Sequence, residues 1–128
     1  MQVNYSAPFA ITDINHGLQE AKGLLKVTDE GLEFEFEVKD TLIGFFKSGL
    51  KKVHIPYKKL VSVHFEKGLI HSKIKLEGVS MRAFSELPGV DVVTCELKIK
   101  RKDRKEAARL VSKARAALSE YKLNNLGD

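Results

Sequence analysis

Residues 32–39 read LEFEFEVK, which places Leu32, Phe34, Phe36 and Val38 on one side of an extended chain and Glu33, Glu35, Glu37 and Lys39 on the other. Period-two alternation of this kind marks a strand with one face in water. Upstream, EAKGLLKV puts Ala21, Leu25 and Val27 on one face. The intervening TDEG at 28–31 is turn chemistry, with Gly31 free to adopt positive φ, so the two runs predict a hairpin. Downstream, KKVHIP points Val53 and Ile55 inward and His54 outward, and it ends at Pro56, which lacks a ladder donor. LVSVHFE then sets Val61, Val63 and Phe65 against Ser62 and His64, and LIHSKIKLE sets Ile70, Ile74 and Leu76 against His71, Lys73, Lys75 and Glu77. A two-residue turn at Lys67-Gly68 would pair 66 with 69, 65 with 70 and 64 with 71, keeping the apolar residues on one face. VSMRAF (79–84) reads as a weaker strand, and VVTCELKIK alternates again with Val93, Cys95, Leu97 and Ile99 inward.

After residue 100 the period changes. Ala107, Leu110, Val111, Ala114, Leu118 and Tyr121 recur at steps of three and four, which makes one face of a helix. Asp103 is placed to cap it with Glu106 answering as in a capping box, and Asn124 and Asn125 are stop residues. The expected chain is therefore mainly β with one C-terminal α-helix: seven antiparallel strands at about 18–27, 31–39, 50–56, 60–66, 69–77, 79–84 and 92–100, and a helix at about 104–122. A single domain would span 18–122, with 1–17 an N-terminal extension lacking a predicted element and 123–128 a C-terminal tail. Such strands cannot leave their edges bare, and an amphipathic helix needs an apolar surface to cover. A bent barrel or sandwich capped by the helix meets both demands.

Two stretches carry a resemblance: GFFKSGLKKVHIPYKKLVSVHFEKGL (44–69) and LPGVDVVTCELKIKRKDRKEAARLV (87–111). The strand ending in IPY, followed by KKLVSV and a glycine hairpin, is similar to the bacterial pleckstrin-homology-like (PH-like) and GRAM-like domains. The KRKDRKEAARLV run into the last helix resembles them as well. The resemblance covers roughly residues 44–120 and implies the PH-like fold, a superfold that hosts lipid binders and peptide binders. Phosphoinositide-binding PH domains carry a basic pattern around their first hairpin. Here the corresponding turn is Thr28-Asp29-Glu30-Gly31, with only Lys22 and Lys26 basic nearby.

Composition changes this picture little. The chain has 128 residues, 43% of them hydrophobic and 30% charged, with three prolines and no biased segment, as in one ordinary globular domain. The single cysteine, Cys95, cannot form an internal disulfide, and the first residues lack the basic and apolar regions of a secretory signal. No run of about 18 apolar residues occurs, so no transmembrane segment is expected. The expected location is cytoplasmic, extending to peripheral contact at the inner face of the membrane.

Charge distribution is more informative than its total. Of the net +5, residues 1–40 carry −5, residues 41–75 carry +7 and residues 76–128 carry +3. The basic middle begins with TLIGFFKSGLKKVHIPYKKL (41–60), where large apolar residues adjoin lysines. Ile43, Phe45, Phe46, Lys47, Lys51, Lys52, Lys58 and Lys59 are therefore the candidates for contact with a partner or a membrane. A protein partner or a second copy would bury the apolar residues. An anionic lipid surface would accept them while each lysine contributed about 1 kcal/mol. Lysines alternating with apolar residues are also the ordinary wet face of a sheet. Nucleic acid is disfavoured because aromatics for base stacking are not interleaved with the lysines.

His64 and His71, opposed across the expected hairpin, are weak metal candidates, and no carboxylate or thiol completes a first shell. Cys95 falls on an inward face, where a thiol behaves as a small hydrophobe. No nucleophile–base motif or phosphate loop occurs, so no catalytic residue and no cofactor is expected, and the chain reads as a non-enzymatic binding module.

Overall fold

The alternating runs fold as strands and the three-and-four run folds as a helix. The computed structural model describes residues 5–42, 44, 49–90 and 92–126. Among these, seven strands form one antiparallel sheet: β1 (Tyr5–Ile14), β2 (Gln19–Val27), β3 (Gly31–Asp40), β4 (Lys51–Pro56), β5 (Leu60–Glu66), β6 (His71–Gly78) and β7 (Thr94–Lys100). Their order in the sheet is β4-β3-β2-β1-β7-β6-β5, and α1 (Arg104–Asn124) follows. The chain is thus mainly β with a C-terminal helix.

The inward residues named by alternation meet in one core. Leu32, Phe34 and Phe36 of β3, Ile74 and Leu76 of β6, and Cys95, Leu97 and Ile99 of β7 are buried together with Ala107, Leu110, Val111, Ala114 and Leu118 of α1. Phe9 and Phe34 meet edge to face at 5.6 Å and 89°, the arrangement the ring quadrupole favours. The helix packs mainly on β1 and β5. Its end is tied to β5 by the Lys122 ammonium, which donates to the Val61 carbonyl at 2.6 Å.

Several expectations are corrected. Residues 5–14 are not an extension but the central strand of the sheet, with Ala7, Phe9 and Ile11 inward. Pro8 interrupts that run in sequence. It is accommodated because β1 is paired continuously with β2 alone, its seam with β7 being recorded at Ala10↔Lys98 only. The first hairpin is therefore β1–β2, not 18–39.

Residues 79–84 are not a strand. The Ser80 hydroxyl accepts the Arg82 amide at 3.3 Å, and three successive turn bonds follow: Ala83 amide to Ser80 carbonyl, Ser85 to Arg82 and Leu87 to Phe84. This coil turns Ala83, Phe84 and Leu87 into the core. The seventh strand is supplied by β1 instead.

The β5–β6 hairpin pairs Glu66 with Lys73, Phe65 with Ile74 and His64 with Lys75. Its turn is wider than Lys67-Gly68, closed by the Gly68 amide donating to the hydroxyl of fully buried Ser72 at 3.3 Å. Ile70 is left 82% exposed. A register irregularity between Leu60 and Ser62 turns Val61 outward, and Val93 precedes β7 and is also exposed. At the helix start, Asp103 occupies the N-cap position without a side-chain cap bond, and Glu106 lies in the first turn. Asn125 is the C-cap, its side-chain amide donating to the Tyr121 carbonyl at 2.7 Å.

The β2–β3 turn lies where TDEG predicts it, but Gly31 does not take positive φ. The Thr28 hydroxyl organises the turn by accepting the amides of Glu30 and Gly31 at 3.2 and 3.1 Å. Glycine is required at 31 because a Cβ would strike the Ile55 carbonyl and approach Pro56 Cα to 2.7 Å across the β3–β4 ladder. Gly31→Ala is expected to destabilise the fold by more than about 1 kcal/mol in urea denaturation. Gly31→Asn, which would be tolerated at a left-handed position, is expected to lose at least as much; tolerance of Asn with loss on Ala would refute the close-approach account.

Candidate functional site

Four of the expected contact residues, Ile43, Phe45, Phe46 and Lys47, lie outside the described residues. Lys51 and Lys52 open β4, whereas Lys58 and Lys59 belong to a single 3-10 turn, Tyr57–Lys59, at its far end. The length of β4, at about 3.3 Å per residue, separates the two pairs. The structure therefore does not gather Lys51, Lys52, Lys58 and Lys59 into one patch.

Thr41 and Leu42, at the start of that segment, adjoin the β1–β2 turn. The Thr41 amide donates to the Leu18 carbonyl at 3.0 Å and its hydroxyl to the Gly17 carbonyl at 2.7 Å. The Leu42 amide donates to Asp40 Oδ1 at 2.9 Å. These bonds bring Leu18 beside Thr41 and Leu42; Leu42 is 80% exposed, and Leu50, just before β4, is 62% exposed. In the β1–β2 turn, Asn15 and His16 both adopt left-handed backbone, at φ 52° and 57°, a conformation that asparagine tolerates better than most residues.

Many charges on the outer face are paired. Glu35 lies between Lys26 at 2.9 Å and Lys52 at 3.7 Å, and Glu20 lies between Lys39 at 3.1 Å and Lys22 at 3.4 Å. Across the sheet, Lys75 meets Glu66 at 2.8 Å and Lys73 meets Glu96 at 3.4 Å. Glu35 of the β3 glutamate row is thus tied to lysines of both neighbouring strands. The hydrogen bond from Lys26 holds the Glu35 carboxyl below the usual range. At Glu20 burial works upward, but the ammonium groups of Lys39 and Lys22 outweigh it and leave that carboxyl lowered too.

His64 and His71 do not face each other. His64 is opposite Lys75, and His71 is opposite Lys100 of β7. Among the described residues no three His, Cys, Asp or Glu side chains converge to hold a metal ion. Cys95 is buried, and burial, with the nearby Glu96 charge, pushes its thiol up to about 12.

A concavity lies elsewhere, at the other end of the sheet. A groove of 840 Å³ runs between the C-terminal half of α1 and the β2–β3 turn, and all three tyrosines of the chain, Tyr5, Tyr57 and Tyr121, line it. Tyr57, 3% exposed, forms its floor, with the hydroxyl donating to the Thr28 carbonyl at 2.6 Å and the ring 6.4 Å from that of Tyr121. Burial, with Asp29 nearby, pushes the Tyr57 phenol up to about 12. The Lys113 ammonium stands 5.8 Å from the centre of the Tyr5 ring. Sequence reasoning missed this groove because it is assembled from residues near 5, 28, 57 and 121. The one usable signal was Tyr121, the polar-tipped end of an otherwise aliphatic helical stripe.

Compared with known proteins, the chain matches no family model and no curated protein.

Two outcomes are expected from these environments. Cys95 should be silent toward a thiol reagent in the native protein and react fully in urea; fast labelling of the folded chain would contradict its burial. Glu20 has a lowered folded pKa, so its contribution is present above its ordinary value of 4.5 and is lost as pH falls through the folded value. Acid titration of stability should accordingly show a shallower loss below that pH in Glu20→Gln than in the parent, and an unchanged slope would refute the coupling.

Proposed function

We propose that this chain is a non-enzymatic PH-like binding module that acts by presenting a surface to a second copy of itself or to another protein. The observation that carries this reading is the exposure of Leu18, Leu42 and Leu50, with Leu18 and Leu42 brought together by the Thr41 hydrogen bonds. Exposed large apolar side chains on adjoining segments are candidates for contact with a partner. The strand order and the C-terminal helix support the PH-like assignment, as does the IPY-to-KKLVSV stretch, which spans the end of β4, the 3-10 turn and the start of β5.

A second reading is favoured by Lys51 and Lys52, both exposed next to Leu50. It is peripheral binding to an anionic membrane, with the leucines dipping into the interface and the lysines meeting headgroups. Either reading suits a cytoplasmic setting, the second at the inner face of the membrane.

Light scattering and vesicle sedimentation separate the two. Self-association predicts a mass above that of the 14.4 kDa chain that falls to the monomer in a Leu42→Ser/Leu50→Ser variant. The membrane reading predicts a monomer that sediments with anionic vesicles at low salt, is released by salt, and ignores neutral vesicles. A monomer that binds neither kind of vesicle would remove both self-association and membrane contact.

A further inference from the structure

We propose that the tyrosine-lined groove is a docking site for an extended, proline-rich peptide segment that carries a basic residue and comes from another chain. This goes beyond the leucine surface: Tyr5, Val27 and Tyr57 stand at the opposite ends of β1, β2 and β4 from Leu18, Leu42 and Leu50. Either site can therefore fail without the other.

The floor is rigid. Tyr57 is packed and hydrogen-bonded, and Tyr121 leans against it at 42°. Ordered aromatic side chains offer large contact area without a further loss of rotamer freedom on binding. On the helix side, Ala116 and Ala117 leave room for a ligand backbone to come close.

On the β2–β3 side of the groove, backbone groups are already used. The Thr28 amide is bonded to the Gly31 carbonyl, the Tyr57 amide to the Glu30 carbonyl, and the Thr28 carbonyl accepts the Tyr57 hydroxyl. Strand addition would need an open ladder there. A polyproline II segment needs none. It has no internal hydrogen bonds, it presents carbonyls, and its proline rings lie flat on aromatic faces. Tyr5, Tyr121 and Asn124 line the same groove, and their side chains carry donors suited to such carbonyls.

Charge selects the basic residue. In a chain of net +5, the groove presents Asp29 and Glu120, neither in an ion pair among the described residues, while its Lys113 is held over the Tyr5 ring. A guanidinium or ammonium on the peptide meets two carboxylates beside aromatic faces that already accommodate a cation. The 128 residues contain three prolines, Pro8, Pro56 and Pro88, far apart in sequence, so no segment of them fits the groove.

The protein reports on the site itself, because it has no tryptophan and its three tyrosines all line the groove. The probe is an arginine-flanked peptide of paired prolines and leucines without aromatic residues, titrated while tyrosine emission is followed. A saturable change is expected, weakened about tenfold by Tyr121→Ala. Because Tyr121 also touches the core, the exposed Glu120→Lys variant provides the second reading and should weaken binding at low salt with the circular dichroism spectrum unchanged. Leu42→Ser should leave the titration unaltered. No saturable change at millimolar peptide, equal binding by Glu120→Lys, or equal binding of the peptide with alanines in place of its prolines would each overturn the proposal.

Discussion

The fold rests on the burial of the apolar face of α1 against the inner side of a sheet that cannot hold itself closed. The two halves of the sheet, β4 to β1 and β7 to β5, are joined through a seam recorded at Ala10↔Lys98, and the edges β4 and β5 are not paired with each other. Hydrogen bonding therefore does not determine how the halves are disposed. Side-chain burial does. Leu110, Val111 and Leu118 contribute roughly 1.5–3 kcal/mol each on burial, and they reach residues from both halves at once. The tyrosine groove is a by-product of this arrangement, since it is the space left where α1 runs past the β2–β3 turn.

The sequence was legible where a residue's environment is set by its near neighbours. Phe34 and Phe36 alternate with glutamates, so their strand and its buried face follow from the pleat alone. Leu110, Val111, Ala114 and Leu118 follow equally from the helical period. The failures are of a different kind. Pro8 breaks a run that is in fact the middle of the sheet, and its tolerance depends on how far β7 lies alongside, which no local pattern records. Phe84 sits at a strand-like parity but is carried inward by Ser80-centred turns. The His64–His71 pairing was lost because alternation determines register only to an even number of residues: a shift of four keeps Val63, Phe65, Ile74 and Leu76 on one face and changes every partner.

The same division separates the two candidate surfaces. In the 41–60 segment apolar and basic residues are adjacent in sequence, and β4 holds Lys51 and Lys52 away from Lys58 and Lys59. The groove has the opposite character. Its three tyrosines are separated by more than fifty residues each, and only tertiary packing makes them one surface.

The position of β1 also has a consequence for synthesis. Residues 5–56 can zip into a four-stranded meander through consecutive hairpins as soon as they leave the ribosome. The inner face of that meander, with Phe9, Phe34 and Phe36, gains its cover only when β7 and α1 arrive. At roughly 5–20 residues per second, translation leaves this greasy half-sheet uncovered for on the order of several seconds, with β1 as an open edge awaiting a partner encoded some eighty residues later. The nascent chain is thus most vulnerable to sticking at its central strand, and α1, which follows β7, ends the exposure.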